Sequence, residues 1–152
     1  MTLFDGFYQL GFVARNLDRA VEALGERYGV RIFRRKQASP TMRTAHAYAG
    51  DIMLEIIEVS DGGLALYRDH LPLRDEAVHL HHHGFRVADV ARWAEVVAAV
   101  DGRGLATPLR GTVMDGHLRY LYADTRDEIG IYSEYVCLTG AALAIYDDVP
   151  HN

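Results

Sequence analysis

The chain contains a copy of itself. Residues 9–29, QLGFVARNLDRAVEALGERYG, set beneath residues 82–102, HHGFRVADVARWAEVVAAVDG, align Gly11 with Gly84, Phe12 with Phe85, Arg19 with Arg92, Glu22 with Glu95 and Gly29 with Gly102. Five identities are few, so the shared change of period carries the comparison. Each segment opens with period-2 alternation, passes a polar residue (Asn16 or Asp89) and then adopts helical spacing. Leu17, Val21 and Leu24 form one apolar stripe; Val90, Trp93, Val97 and Val100 form the other. A glycine, Gly29 or Gly102, follows as a stop signal. Three strand-like runs come after each helix. They are residues 31–35, 43–48 and 52–59 in the first half, and 106–109, 118–123 and 129–136 in the second. Turn chemistry separates them in ASP, AGD, RGTVMDG and DTRDE.

Each half therefore reads βαβββ, an α+β class. A sheet with a helix on one face needs a partner for the other, so the expectation is two tandem βαβββ modules forming paired curved mixed sheets around a shared cavity. The modules span residues 1–60 and 79–138. A linker at 61–78 holds a possible short helix in LALYRDHL, and 139–152 forms a C-terminal tail.

Composition narrows the function classes. Sixteen Lys and Arg against 21 Asp and Glu give a formal charge of −5, which argues against a nucleic-acid binder. The one basic run, Arg34–Lys36, reads as a solvated strand end. The single cysteine, Cys137, rules out an internal disulfide framework and a cysteine-rich zinc site, and reads as structural. No run approaches the ~20 apolar residues of a bilayer span. The expectation is a soluble cytoplasmic protein with neither nucleic-acid nor membrane partners.

Strand alternation assigns faces. Phe85 and Val87 belong under the helix with His83, which turns His82, Gly84 and Arg86 to the cavity. In the first copy Leu10 and Phe12 face the helix, and Gln9, Gly11 and Val13 the cavity. In the last strands Ile52, Leu54 and Ile56 form a helix-side stripe opposite Glu55. Ile129 and Ile131 lie opposite Tyr132 and Glu134. The cavity set is Gln9, Glu55, His82 and Glu134. An unpaired carboxylate in an enclosed cavity is costly. A divalent cation removes that cost and accepts an imidazole, two carboxylates and an amide oxygen. Within HLHHHGFRV, His79, His81 and His83 read as edge or helix-side groups, one of which could orient a ligand. Glu22 and Glu95, on the helices, read as solvated.

The βαβββ duplication, HHHGFRVADV and LYADTRDEIGIYSEYV resemble the vicinal oxygen chelate superfamily, which holds glyoxalases, epimerases, extradiol dioxygenases and bleomycin-resistance proteins. The resemblance runs from about Phe7 to Val136. It implies metal ligands on the first and last strand of each module, positions that match Gln9, Glu55, His82 and Glu134. A Gln/Glu/His/Glu set is the zinc glyoxalase pattern, with nickel, cobalt or manganese as other fits. It argues against an iron ring-cleaving dioxygenase, which needs two histidines and a carboxylate. No counterpart of a glutathione-binding segment is found. The implied function is a glyoxalase-like metalloenzyme, a lyase or isomerase, acting on a small organic molecule by proton abstraction next to a carbonyl. Glu134 is the expected base, with Glu55 sharing the role. Arg86 is placed toward a substrate carboxylate, and Tyr120, Tyr122 and Tyr132 toward the substrate pocket. A homodimer is expected. The alternative is a non-catalytic drug- or metabolite-binding protein of the bleomycin-resistance type.

Overall fold

The computed structural model describes all 152 residues. The chain divides into two compact units, one formed by Gln9–His81 with Asp148–Asn152 and the other by Met1–Tyr8 with His82–Asp147. We call them the N-terminal and C-terminal units. The fold is mixed α+β, and each half of the chain has the βαβββ order.

In the N-terminal unit the elements are β1 (Phe7–Ala14, from Gln9 onward), α1 (Leu17–Tyr28), β2 (Arg34–Ser39), β3 (Met42–Ala49) and β4 (Ile52–Val59), followed by one helical turn, α2 (Ala65–Arg68). The strand order is β2-β3-β4-β1, with β1 and β4 parallel and the other pairs antiparallel. Asn16 caps α1 by accepting from the Arg19 amide, and Gly29 ends it in the left-handed region at φ 77°. Leu17, Ala20 and Val21 pack on Ala14, Ala45 and Ile56, with Leu24 partly buried beside them. Glu58 ties three elements together. It accepts two bonds from Arg43 of β3 (2.9 and 2.7 Å) and one from the Leu17 amide at the start of α1 (2.7 Å).

The C-terminal unit holds β5 (Val78–Val87, from His82 onward), α3 (Val90–Gly102), β6 (Leu109–Val113), β7 (Leu118–Ala123), the single turn α4 (Arg126–Ile129) and β8 (Tyr132–Leu138), in strand order β5-β8-β7-β6. Asp89 caps α3 through the Arg92 amide at 2.8 Å. The face of α3 that carries Val96 and Val100 closes on Phe85, Val87, Leu121, Tyr135 and Cys137, the helix side of the sheet. A 3-10 turn, Gly140–Ala144, then lays Ala142, Ile145 and Tyr146 against the other side of β8, at Val136 and Leu138. The last residues join the N-terminal unit. His151 stacks on Tyr48, and Asn152 Oδ1 accepts from the Arg31 and Ile32 amides.

Several boundaries differ from the sequence reading. Strand β2 begins at Arg34, because Arg31 and Ile32 are occupied with Asn152. Strand β6 takes up Arg110–Val113, leaving Met114–His117 as the turn, with Met114, Asp115 and Gly116 all at positive φ. Ile129 is not on the last strand. It closes α4, is exposed, and precedes Gly130 at φ 83°, so β8 starts at Tyr132. Val90, in the first turn of α3, is exposed, and Val96 takes its place in the buried stripe. Gly102 lies inside α3, and the left-handed residue after it is Gly104. No helix is long and apolar enough to cross a membrane.

Two expected outcomes follow from this framework. The Arg43 guanidinium holds the Glu58 carboxyl below its ordinary range, with the Leu17 amide adding to the effect against the opposing cost of burial. A depressed folded-state pKa means that stability is present above the unfolded value of ~4.3 and lost as pH falls through the folded one. Glu58→Gln should therefore destabilise by about 2 kcal/mol at pH 7, with the difference from wild type shrinking below pH 4 in urea titrations. Gly6 sits at φ 77°, its carbonyl accepts from the Arg86 amide at 2.7 Å, and a Cβ there would meet the Arg86 carbonyl. Gly6→Ala should cost roughly 2–4 kcal/mol from the left-handed backbone and the overlap together, read from the urea midpoint.

Candidate functional site

The two units carry the same arrangement of carboxylate and glycine. In the N-terminal unit the parallel ladder of β1 and β4 sets Gly11 opposite Glu55, with Gln9 opposite Met53 one step earlier on the same face. In the C-terminal unit the ladder of β5 and β8 sets Gly84 opposite Glu134, with His82 opposite Tyr132. Each last-strand carboxylate thus stands beside a first-strand residue with no side chain, and the polar residue two positions before that glycine shares its face.

In the N-terminal unit Gln9 is 1% exposed, and its Oε1 is buried with no hydrogen-bond partner. A buried amide oxygen left this way costs about 1–3 kcal/mol. Glu55 Oε1 lies 3.0 Å from His46 Nε2. His46 is buried, and the β3–β4 ladder places it opposite Glu55. His46 is not among the donors named from the sequence. The signal was available: the tight turn at Gly50 and Asp51 pairs Ala49 with Ile52, and counting back three rungs pairs His46 with Glu55.

In the C-terminal unit His82 is fully buried, and its Nε2 is 3.5 Å from Glu134 Oε2. Two donors bound ~2.1 Å from one ion at a tetrahedral angle stand ~3.4 Å apart, so this pair has the spacing of two ligands to a common cation. Tyr122, buried and opposite Glu134 in the β7–β8 ladder, sets its ring edge-on to His82 at 5.1 Å. Tyr122 holds the position in this unit that His46 holds in the other.

Arg86, the three tyrosines, His83 and Cys137 lie in the C-terminal unit; His79, His81 and Glu22 lie in the N-terminal one. Arg86 lies over the rings of Tyr8 (5.0 Å) and Tyr146 (5.4 Å), and its Nε is buried with no hydrogen-bond partner. Tyr120 packs with Val136, Leu138 and Tyr146 beneath the C-terminal turn. Tyr132 is buried, with the Arg126 guanidinium 4.7 Å from its ring centre. His83 lies on the helix side against Phe85, and burial, then the neighbouring His82, push its pKa down. His79 and His81 turn to the carbonyls of His70 and Leu66. Cys137 is buried in the core, and that burial raises its thiol pKa. Glu22 is exposed, and Glu95 is exposed beside Arg92.

The duplicated βαβββ order is the one that the sequence resemblance implied. Among solved structures the chain is similar to Streptomyces coelicolor methylmalonyl-CoA epimerase in complex with 2-nitronate-propionyl-CoA, at 20% identity and a TM-score of 0.63, over 90% of this chain and 99% of that one. It is also similar to methylmalonyl-CoA epimerase from Mycobacterium tuberculosis, at 15% identity and a TM-score of 0.63 over 95% and 97% of the two chains. A hypothetical protein from Bacillus halodurans matches at 14% identity and a TM-score of 0.61 over 90% and 96%. No protein-family model and no curated protein sequence matches the chain.

The unanswered oxygen of Gln9 can be weighed directly. In metal-free protein, Gln9→Leu should raise stability by about 1–2 kcal/mol in urea unfolding, because an apolar group replaces a buried acceptor that has no donor. Residues kept at a cost to stability mark sites selected for function.

Proposed function

We propose that the chain is a divalent-metal enzyme that removes a proton from the carbon next to a carbonyl in a small organic substrate, an isomerase or epimerase in type. We assign the metal to Gln9 and Glu55 of the N-terminal unit and His82 and Glu134 of the C-terminal unit. The observation that carries this reading is the duplicated register, in which each unit sets a last-strand carboxylate opposite a glycine with a polar first-strand residue on the same face. The donor chemistry supports it too: one imidazole, two carboxylates and an amide oxygen suit zinc first, and nickel, cobalt or manganese as well. The fold shared with epimerases that act through acyl-CoA substrates favours isomerisation over the other reactions hosted by such sheets.

When bound, the metal supplies Lewis acidity, drawing charge from a carbonyl oxygen. The side chains of the protein do the rest. Glu134 takes the proton, held beside His82 and walled by Tyr122. Glu55 serves in the same capacity from the N-terminal unit, and His46, hydrogen-bonded to it, offers a nitrogen through which a proton can pass on. Arg86, stacked on two rings with its Nε unanswered, receives an anionic group of the substrate. Tyr120, Tyr122 and Tyr132 supply the aromatic wall on the same face of the sheet, and the protein works as a homodimer.

Metal content and isotope exchange test the reading together. Purified protein should carry about one zinc, nickel, cobalt or manganese ion per chain, and His82→Ala should lose it. With metal present, deuterium from solvent should enter methylmalonyl-CoA or another member of a panel of acyl thioesters and 2-oxo acids. Glu134→Gln should slow that exchange at least ~100-fold. Wild-type exchange no faster than that of Glu134→Gln across the whole panel would refute the reaction. Metal-free protein that takes up none of the four ions yet binds an aromatic ligand would favour sequestration.

A further inference from the structure

On the helix side of β5 and β8, three side chains form a hydrogen-bonded chain whose direction is fixed. Thr125 Oγ1 lies 2.6 Å from the Ile131 carbonyl oxygen. A carbonyl only accepts, so the Thr125 proton is committed there. Thr125 Oγ1 is also 3.0 Å from Ser133 Oγ, and with its own proton used it can only accept, so Ser133 donates. Ser133 Oγ lies 2.7 Å from His83 Nε2. The serine proton is already spent, which leaves His83 Nε2–H as the donor, and the Tyr135 hydroxyl, which also hydrogen-bonds Ser133, donates to its second lone pair. Ser133, at the centre of the chain, is 2% exposed, and Thr125 and His83 at its ends are half-buried.

This relay joins β5, the head of β8 and the loop that leads into β8. The rung it spans is His83 opposite Ser133. The flanking rungs are His82 opposite Tyr132 and Gly84 opposite Glu134. His82 and Glu134 therefore project from the opposite face of the same two strands, each one residue from a relay member. Parallel pairing is less stable per residue than antiparallel pairing, and a slip of one residue would turn every side chain to the other face.

We infer that the His83–Ser133–Thr125 relay is a positioning device for the metal half-site of the C-terminal unit, fixing His82 against Glu134 from behind. The inference rests on the metal reading above. It also assigns a role to Ser133 that excludes another: with its proton donated to Thr125, Ser133 is not a nucleophile activated by His83.

The test uses the full-length chain. In metal-free protein at pH 8, imidazole ¹⁵N shifts should show His83 protonated at Nε2. Protonation at Nδ1 reverses the relay and overturns the inference. Ser133→Ala should move the His82 ring signals in metal-free protein and weaken cobalt(II) binding about tenfold, the lower end of the range for residues that support a ligand from behind. His83→Gln keeps an N–H donor facing Ser133 and should bind cobalt(II) close to the wild-type strength. If Ser133→Ala does not fold, Thr125→Val removes the last link instead. Unmoved His82 signals together with unchanged cobalt(II) affinity overturn the inference. If wild-type protein takes up no cobalt(II), the metal reading fails by itself. The His83 tautomer and the response of the His82 signals then decide the relay.

Discussion

A carboxylate on a buried sheet face is tolerated only where something answers its charge. Glu55 and Glu134 both meet that condition, and much of what surrounds them follows from it. Each stands opposite a glycine, so no side chain crowds it from the first strand. Each has a ring-bearing neighbour on the third strand, His46 beside Glu55 and Tyr122 opposite Glu134. Glu58 is answered differently, by Arg43 and a helix amide, and it fastens the fold. Glu55 and Glu58, three residues apart on one strand, face opposite ways by alternation, so Glu58 is free to fasten the fold while Glu55 lies on the proposed metal face.

Much of the fold was legible because duplication repeats its own signal. Two copies of the same switch from period 2 to helical spacing identified βαβββ units, and alternation gave correct faces for His82, His83, Phe85 and Glu55. Capping residues were readable as well, with Asn16 and Asp89 doing what their type and place suggest. The errors have two sources, contacts distant in sequence and short turns that interrupt a strand-like run. Asn152 occupies the amides of Arg31 and Ile32 and shifts the start of β2. A single turn of helix consumes Ile129, although its sequence reads as strand.

Strand alternation alone names the proposed donors Glu55, Glu134 and His82, but not what surrounds them. His46 lies on a middle strand of its copy, outside the first and last strands that carry the proposed donors, and only hairpin counting reaches it. The relay behind His82 could not be found by counting, since Thr125 and Ser133 meet only after α4 folds the loop between them. The histidine run shows the limit of composition as a guide. Adjacent residues His82 and His83 differ wholly in surroundings, one against Glu134 and the other against Ser133 and Phe85. Similarity of fold at 14–20% identity identifies the scaffold, and chemistry must be argued from the residues placed on it.

The unlike neighbours of the two carboxylates have an evolutionary consequence. A gene copy begins with identical halves, but here one carboxylate touches a nitrogen base and the other faces a phenol ring. The copies differ on the third strand, as they do on the first at Gln9 and His82, while both keep the glycine-and-glutamate pairing. Substitutions at His46 or at Tyr122 can retune one half without disturbing the ladder of the other, which leaves this scaffold free to acquire new chemistry one side at a time.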